Sequence, residues 1–584
     1  MGRLYLALFV LALAVRAAFF LELHDQPVFS LLMIDSQKYD LWARTLASGK
    51  WLGSSIFYQA PLYPYFLGVF YTLFGPSALL VRSANALLSA LSCVLLCAAG
   101  RRFFGKPVGM VAGAILAIYP TSLFFDSQLQ KSSLDLFLTC LLLYLLSLFS
   151  RQRPYLLLAG TGLVLGCLIL TRENAFSLVP VAMAYAYFTS PLPGFRSGLI
   201  RLSLLAAGLT AVLLPVGLRN YAVGGEFHLT TSQMGPNFFI GNRPGADGLY
   251  SPLIAGRSEV FFESRDATDL AEREAGRRLS PGEVSQFWMG KALGAIESDP
   301  LAWLRLMIRK ALLLLNRVEI PDTYDQYSYA DWSRLLRVVT PLLHFGTLLP
   351  LAAAGIWMTR SRRRELWVLY VVLAMYAFSV ILFYVFSRYR FPLVPVGLLF
   401  AAAGIVGFAR GLAARRWRQL AVPASLVVAA ALLANWPMLD DRVEKFQSLM
   451  HGNVGLALAN QGRFEAARTA LERALYWDAT NAMAQLNMGS LLRKIGRDRD
   501  ALAYLQRAVS LEPAVPEDHL ELGRCLSGLG RSAEAIAAYR ETINLDPLNA
   551  WAWYWTAQES EKMGNHAEAQ HAFSEARRLN PGFR

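Results

Sequence analysis

Long apolar runs separated by short polar loops fill the first 440 residues of the chain. A helix needs about 20 apolar residues to cross the hydrocarbon of a membrane, and eleven runs are candidates. They lie at 4–23, 77–99, 108–125, 134–150, 155–171, 175–189, 201–218, 338–358, 366–386, 391–409 and 420–437. The pattern predicts an all-α domain of about eleven transmembrane helices over residues 1–440.

Two further apolar segments need a different interpretation. The segment 301–320 is nearly long enough to cross, but three basic residues lie in its middle. We therefore interpret it as an interfacial helix that does not cross. Residues 4–15 resemble the apolar part of a signal peptide, yet the apolar run continues to Phe20, which favours an uncleaved anchor.

The basic residues of the loops predict the orientation. Five alternate loops together carry 14 of them, and cytoplasmic loops are the ones enriched in Lys and Arg. They are Arg101, Arg102, Lys106, Arg151, Arg153, Arg196, Arg360, Arg362, Arg363, Arg364, Arg410, Arg415, Arg416 and Arg418. The N-terminus is then cytoplasmic, and the long loops 24–76 and 219–337 and the C-terminal tail are extracytoplasmic.

The tail beyond residue 440 is polar and contains an internal repeat. Gly462, Gly496, Gly530 and Gly564 are each 34 residues apart, and alanines and bulky residues follow at the same period. This period is typical of tetratricopeptide repeats, which stack into an α-solenoid. We place four repeats in a domain over 445–584, at 448–481, 482–515, 516–549 and 550–583. Such an array either binds a protein or peptide partner in its groove or packs on its own membrane domain.

Composition agrees with a membrane protein. Of 584 residues, 55% are hydrophobic and 17% are charged, against about 25% charged in an ordinary soluble protein. The net charge of +14 reflects the basic loops, so nucleic-acid binding is a poor interpretation. Four of the five cysteines lie in apolar runs, which leaves neither a disulfide framework nor a metal site.

Candidate chemistry begins in the first outer loop. Asp35 and Tyr39 are four residues apart, so a helix would place them on one face. The run PLYPYFL that follows suits a short helix on the membrane surface or re-entering it. Asp35 could equally be a helix N-cap and Tyr39 an interfacial anchor.

Charged residues also gather at the outer ends of the spans. They are Asp126, Lys131, Arg172, Glu173, Arg219, Arg388 and Arg390. Arginines at span ends can simply extend to the interface. Basic clusters on the outer side are nevertheless unusual, and cations converging there indicate a bound anion, such as a lipid phosphate.

Together these motifs resemble a known family. Asp35 with Tyr39, PLYPYFLGVFYTLFG, LTRENAF, LRNYAVGGEF with GPNFFIGN, and SRYRFPLVP are similar to the bacterial branch of the dolichyl-phosphate-mannose protein mannosyltransferases. That family belongs to the C-class membrane glycosyltransferases, which include the aminoarabinose transferases acting on lipid A. A tetratricopeptide tail resembles the one found in eukaryotic transmembrane O-mannosyltransferases.

The resemblance implies transfer of mannose or another hexose from a polyprenyl-phosphate donor to an extracytoplasmic hydroxyl, with Asp35 as general base. Relatives often have an acidic pair in the first loop, whereas Ser36 follows Asp35 here. Asp126 or Glu173 is then the candidate for a second carboxylate. The candidate donor-phosphate cations are Arg390, Arg388, Lys131, Arg172 and Arg219, and the candidate substrate contacts are Tyr39, Tyr63 and Tyr389. No motif requires a divalent metal or another cofactor.

Other functions remain open at this point. The acceptor could be a protein hydroxyl, lipid A, a wall polymer or a surface glycan, and a scaffold for envelope assembly would not need Asp35. A transporter of lipid-linked sugars would need polar residues throughout the membrane interior, where Arg16 and Asp135 are the exceptions. His228 and His344 lack a second histidine at ligand spacing, so we expect structural roles. The family branch favours a bacterial cytoplasmic membrane.

Overall fold

The computed structural model describes residues 2–149, 155–189, 195–254 and 260–583, and within these ranges the chain is helical with no β-strand. The basic residues Arg151 and Arg153 lie outside the described residues. The all-α architecture predicted from the apolar runs is confirmed.

Six helices of the described chain are long and apolar enough to cross a membrane. They are Gly2–Leu23, Ala78–Phe104, Phe195–Gly224, Arg360–Ile381, Leu393–Ala413 and Trp417–Ala434. A seventh candidate is the pair Lys106–Ala117 and Pro120–Asp126, which is bent by 49°. Proline at the start of the second helix removes a backbone donor and accounts for the break.

Shorter apolar helices occupy four more positions: Leu62–Phe74, Ser132–Leu146, Leu156–Thr171 and Phe345–Met358. The run predicted at 175–189 forms the 3₁₀ helix Glu173–Leu178 and the helix Val179–Phe188. The segment predicted to be interfacial forms Pro300–Leu315, which is not among the candidate spans. The total of eleven spans therefore stays a prediction.

Further helices fill the two long loops and the turn before Leu393–Ala413. In the first outer loop and beside the spans they are Pro27–Ser30, Asp35–Ala47 and Ser387–Arg390, and in the second outer loop Met234–Asn242, Val260–Ala275, Pro281–Ser298, Gln326–Tyr329 and Arg334–Val339. Local chemistry fixes their ends. Ser280 and Glu283 form a reciprocal capping box at the start of Pro281–Ser298, which satisfies two backbone donors that a helix leaves unpaired.

Two buried ion pairs connect helices inside the membrane domain. Arg16 Nε lies 2.7 Å from Asp126 Oδ2, and both side chains are fully buried. Arg172 Nη2 lies 2.5 Å from Asp135 Oδ2. A lone charge at this depth is costly, so each pair requires its two helices to stay together. Each of these four groups therefore has an oppositely charged partner within the domain.

The tail consists of four helix pairs. They are Asp440–Asn460 with Phe464–Trp477, Ala482–Lys494 with Asp498–Leu511, Pro516–Gly528 with Ser532–Leu545, and Ala550–Lys562 with His566–Leu579. The glycine at each turn has a positive φ of 74° to 78°, a conformation that glycine adopts without steric cost. The first helix begins eight residues before the predicted repeat, and we call Asp440–Asn460 the docking helix.

Close backbone contact between Phe345–Met358 and Leu393–Ala413 gives a test of packing. A Cβ on Gly355 would lie 1.8 Å from the carbonyl oxygen of Phe400. We expect Gly355→Ala to lower the free energy of unfolding by roughly 1 to 3 kcal/mol, the usual cost of overpacking, and to lower the melting temperature in detergent.

The matched control is Gly397→Ala in the neighbouring helix, where the added Cβ meets Leu348 at an ordinary 3.4 Å. Equal melting temperatures for the two variants would contradict the packing described here.

Candidate active site

A cavity of about 350 Å³ opens between the first outer loop, the end of the second outer loop and the docking helix. Four carboxylates line it, those of Asp35, Asp247, Glu263 and Asp322, together with the guanidinium groups of Arg388 and Arg442. We call it the acidic cavity. Six acidic and basic side chains facing one concave space are an unusual concentration of ionisable groups, and such groups concentrate at functional sites.

Asp35 is the first residue of the helix Asp35–Ala47, and its side chain is 3% exposed. The preceding residue, Ile34, has a φ of +44°, which is strained for a β-branched residue and costs about 1 to 3 kcal/mol. Oδ2 of Asp35 accepts a hydrogen bond from Arg388 Nη1 at 2.5 Å. Oδ1 is buried and has no hydrogen-bond partner within the described ranges. One carboxylate oxygen is thus held in place while the other is available to accept a proton.

Arg388 joins two carboxylates. Its Nη1 lies 2.5 Å from Asp35 Oδ2 and 2.6 Å from Asp322 Oδ2. Burial lowers the pKa of Arg388, but the charges of Asp322 and Asp35 outweigh burial and hold that pKa well above its ordinary value. Burial raises the pKa of Asp322 to about 6, with Arg388 acting in the opposite direction. The bridge therefore holds together the first outer loop, the non-helical segment 316–325 and the turn after Arg363–Ile381.

Glu263 reaches the same cavity from the helix Val260–Ala275. The hydroxyl of Tyr58 donates to its Oε1 at 3.3 Å. Burial, and next the charge of Asp35, raise the pKa of Glu263 to about 7. Near neutral pH this carboxyl is thus divided between its protonated and ionised forms.

A second cavity of about 280 Å³ adjoins the first, and we call it the inner cavity. Lys131, Arg172 and Glu173 line it. Tyr384 and Tyr389 line both cavities and mark their junction. A cationic pocket and an acidic pocket therefore meet at two aromatic side chains.

The inner cavity has donor groups to offer an anion. Arg172 is held by Asp135 and lies 5.1 Å from the ring of Tyr389. Its Nη1 is buried without a hydrogen-bond partner in the described part of the chain. Glu173 is already engaged, because Thr231 and Gln233 both donate hydrogen bonds to it.

Several residues singled out from the sequence lie elsewhere. Arg390 is 1% exposed, pairs with Glu319 at 2.8 Å and donates to three backbone carbonyls. Arg219 donates to the carbonyls of Leu52 and Ser55 in the first outer loop. Neither lines the acidic cavity or the inner cavity. Their donors are used by these partners, which positions the loops, and a role for either cation at the donor phosphate stays a prediction.

The remaining predicted residues also have local roles. Asp126 is buried with Arg16 and accepts from Ser89 at 2.5 Å and Ser133 at 2.6 Å, so the structure leaves it outside both cavities. The rings of Tyr39 and Tyr63 are buried and pack edge to face, 5.4 Å apart, behind Asp35. Both rings support the helix that begins with Asp35, and their role as substrate contacts stays a prediction.

The two histidines also have local partners. His228 lies 3.0 Å from Glu226, and the Nδ1 of His344 accepts from the backbone of Gly346 at the start of Phe345–Met358. These contacts agree with structural roles.

Sequence reasoning missed Glu263, Asp322 and Tyr384. Glu263 lies in a helix with many other charges, and Asp322 follows Pro321 in a segment without periodicity, so no spacing distinguishes them. Pro321, which follows the helix Pro300–Leu315, was the usable signal. A proline predicts a turn, and this turn could direct the chain back toward the first outer loop.

Known protein families match the membrane domain and the tail separately. Residues 58–217 match the family described as dolichyl-phosphate-mannose-protein mannosyltransferase. The resemblance inferred from the motifs is confirmed. The match covers part of the membrane domain and supports a membrane glycosyltransferase. No curated protein matches the chain significantly.

The tail matches the tetratricopeptide repeat family at 453–519 and 486–550, which confirms the repeat assignment and supports a protein-interaction region. Among solved structures, MamA is 24% identical, covers 26% of this chain and 88% of its own, and gives a TM-score of 0.23. YrrB, described as a TPR protein with an unusual peptide-binding site, is 22% identical. The match covers 31% of this chain and 87% of YrrB and gives a TM-score of 0.22.

The Arg388 bridge predicts a specific pattern of stabilities. We expect Arg388→Gln to lower the free energy of unfolding by about 3 to 5 kcal/mol, because it leaves two buried carboxylates uncompensated. Adding Asp322→Asn should recover part of the loss. Chemical unfolding of the purified protein measures both effects.

Arg362→Gln is the control for this cycle, since both side chains of the Arg362–Glu365 ion pair are exposed, and it should cost about 1 kcal/mol or less. Additive effects of Arg388→Gln and Asp322→Asn would contradict the bridge.

The raised pKa of Glu263 predicts a pH dependence of stability. The folded chain holds this proton more tightly than the unfolded chain, whose carboxyl titrates near 4.5. The free energy of unfolding contributed by this group therefore falls as pH rises from 4.5 to 7 and is level above that window. We expect Glu263→Gln to lose less thermal stability than wild type across the window, whereas Glu274→Gln on the same helix should follow wild type. Parallel curves for wild type and Glu263→Gln would overturn the assignment.

Proposed function

We propose that the protein transfers a sugar, mannose or another hexose, from a polyprenyl-phosphate donor to an extracytoplasmic hydroxyl on a polypeptide. The observation that carries this proposal is the meeting of a cationic cavity and an acidic cavity at Tyr384 and Tyr389. A lipid phosphate fits the inner cavity and a neutral hydroxyl fits the acidic cavity. The sugar would lie at their junction.

The donor would bind in the inner cavity. Lys131 and the unpartnered Nη1 of Arg172 supply positive charge and a hydrogen-bond donor for the phosphate. Phe176 and Met234 line the same cavity and are 39% and 57% exposed. These apolar side chains supply a surface along which a polyprenyl chain can leave toward the lipid.

The acceptor hydroxyl would bind beside Asp35. Its oxygen attacks the anomeric carbon of the sugar, and the bond from that carbon to the phosphate oxygen breaks. Oδ1 of Asp35 takes the proton, while the bonding electron pair leaves with the polyprenyl phosphate. The leaving phosphate gains negative charge as the bond breaks, so Lys131 and Arg172 stabilise the transition state more than the bound donor. Arg388 holds Asp35 in position through the hydrogen bond to its Oδ2.

The positions of the cavities support a proposed orientation of the chain in the membrane. Arg360, Arg410, Arg416 and Arg418 gather around a cleft at the far end of Arg363–Ile381 from Arg388. A helix of 19 residues spans about 28 Å, so the basic cluster and the acidic cavity are about one bilayer apart. By the positive-inside rule we place the N-terminus in the cytoplasm and both cavities and the tail outside, in a bacterial cytoplasmic membrane.

Transfer by the purified protein tests the proposal. The full chain in liposomes would receive radiolabelled polyprenyl-phosphate mannose and, in parallel, the glucose analogue, with unfolded envelope proteins as acceptors. We expect Asp35→Asn to lower kcat about 10²- to 10⁴-fold, the usual contribution of a general base.

Asp40→Asn is the matched control, because Asp40 lies on the same helix but bonds to Arg44 and Tyr71 outside both cavities. Equal loss in the two variants would remove Asp35 as the base. Absence of any labelled product with wild type would favour a scaffold, and label in lipid alone would favour a lipid or glycan acceptor.

A further inference from the structure

The docking helix forms one wall of the acidic cavity. Arg442, Phe446, Leu449 and Asn453 all line the cavity that contains Asp35. Their spacings of four, three and four residues place them along a single stripe of the helix. The tail therefore contributes side chains to the space in which the acceptor would bind.

Contacts with the outer loops fix this wall in position. They are Arg473 Nη2 to Asp331 Oδ2 at 2.8 Å, Asn453 Nδ2 to the carbonyl oxygen of Thr323 at 3.4 Å, and the rings of His451 and Trp332, with centroids 5.5 Å apart. The ring of His451 is buried. These contacts come from both helices of the first repeat, so the whole repeat is seated on the membrane domain.

The same stripe continues along the tail. In the first three repeats a glycine of the first helix approaches the second helix: Gly455 meets Leu471, Gly489 meets Leu505 and Gly523 meets Tyr539. A residue two positions earlier lies about 200° around the helix, on the opposite face. Those positions are Asn453, Asn487, Glu521 and, in the fourth repeat, Trp555. They form one row that begins at the cavity.

Two asparagines of this row show what it can bind. Asn453 donates its amide to a backbone carbonyl of the non-helical segment 316–325. Asn487 occupies the same position one repeat later, is 8% exposed, and its Nδ2 has no hydrogen-bond partner among the described residues. A buried amide donor without a partner is costly, and a backbone carbonyl of a bound chain would satisfy it.

We propose that the acceptor is an extended polypeptide held jointly by the repeat groove and the membrane domain. It would run along the row from Trp555 to Asn453, with Leu449 at the entrance of the acidic cavity and a hydroxyl side chain reaching Asp35. This inference rests on the proposed transfer reaction and names the part of the chain that selects its acceptor.

The dimensions favour a polypeptide over a lipid or a free sugar. Neighbouring helices pack about 8 to 10 Å apart, so a row of four spans about 27 Å. An extended chain advances about 3.3 Å per residue, and about eight residues would cover the row. Asn487 offers a donor to a backbone carbonyl of such a chain, whereas Glu521 already accepts from Ser490, Arg493 and Arg524.

Kinetics of full-length variants in liposomes test the inference. The acceptor probe is a titrated pool of unfolded envelope proteins, with the labelled donor that wild type uses. We expect Leu449→Ala and Asn487→Ala each to raise KM for the pool about 10-fold while kcat changes less than threefold. The control is Glu444→Ala, an exposed residue of the docking helix that does not line the cavity, and it should match wild type. Melting temperatures verify that each variant is folded.

The outcomes separate the two proposals. If wild type labels no product, the transfer reaction itself fails. If wild type labels only lipid or glycan, the reaction stands and the polypeptide groove is overturned. If protein is labelled but Leu449→Ala and Asn487→Ala behave like Glu444→Ala, the wall and the row do not select the acceptor. A fall in kcat equal to or larger than the rise in KM would also overturn it.

Discussion

One guanidinium holds two distant loops of the membrane domain together. Arg388 contacts Asp35 and Asp322 through the same nitrogen, and these carboxylates belong to segments nearly 290 residues apart in sequence. Two buried carboxylates side by side repel one another, and the intervening cation offsets that repulsion. The acidic cavity thus exists because two loops with like charges share one counter-ion, and its shape depends on that shared contact.

The arginines of the membrane domain divide into two kinds according to the partners they already have. The donors of Arg390 and Arg219 are used by backbone carbonyls, and Arg16 is neutralised by Asp126. Arg172 also has a carboxylate partner, yet one of its nitrogens is unsatisfied. The difference lies in the count of donors. A guanidinium has five N–H groups, and only those left over after folding can bind a ligand.

The sequence predicted the helical class and the repeat tail correctly, because each depends on a local pattern. Membrane helices depend on apolar length and repeats on a 34-residue period, and a local pattern also singled out Asp35 at the start of a helix. Glu263 and Asp322 could not be found this way, since they reach the cavity only through the path of a loop of more than 100 residues. Arg390 shows a different limit of local patterns. It is two residues from Arg388, yet the short helix Ser387–Arg390 directs the two side chains to different partners.

The position of the docking helix also fixes an order of assembly. Asp35 follows the first candidate span, whereas the stripe from Arg442 to Asn453 follows the last candidate span of the described chain, which ends at Ala434. Five residues separate that span from the docking helix, so the first repeat can reach its seat only after this span is inserted. During synthesis the cavity is therefore open on one side until the docking helix takes its place.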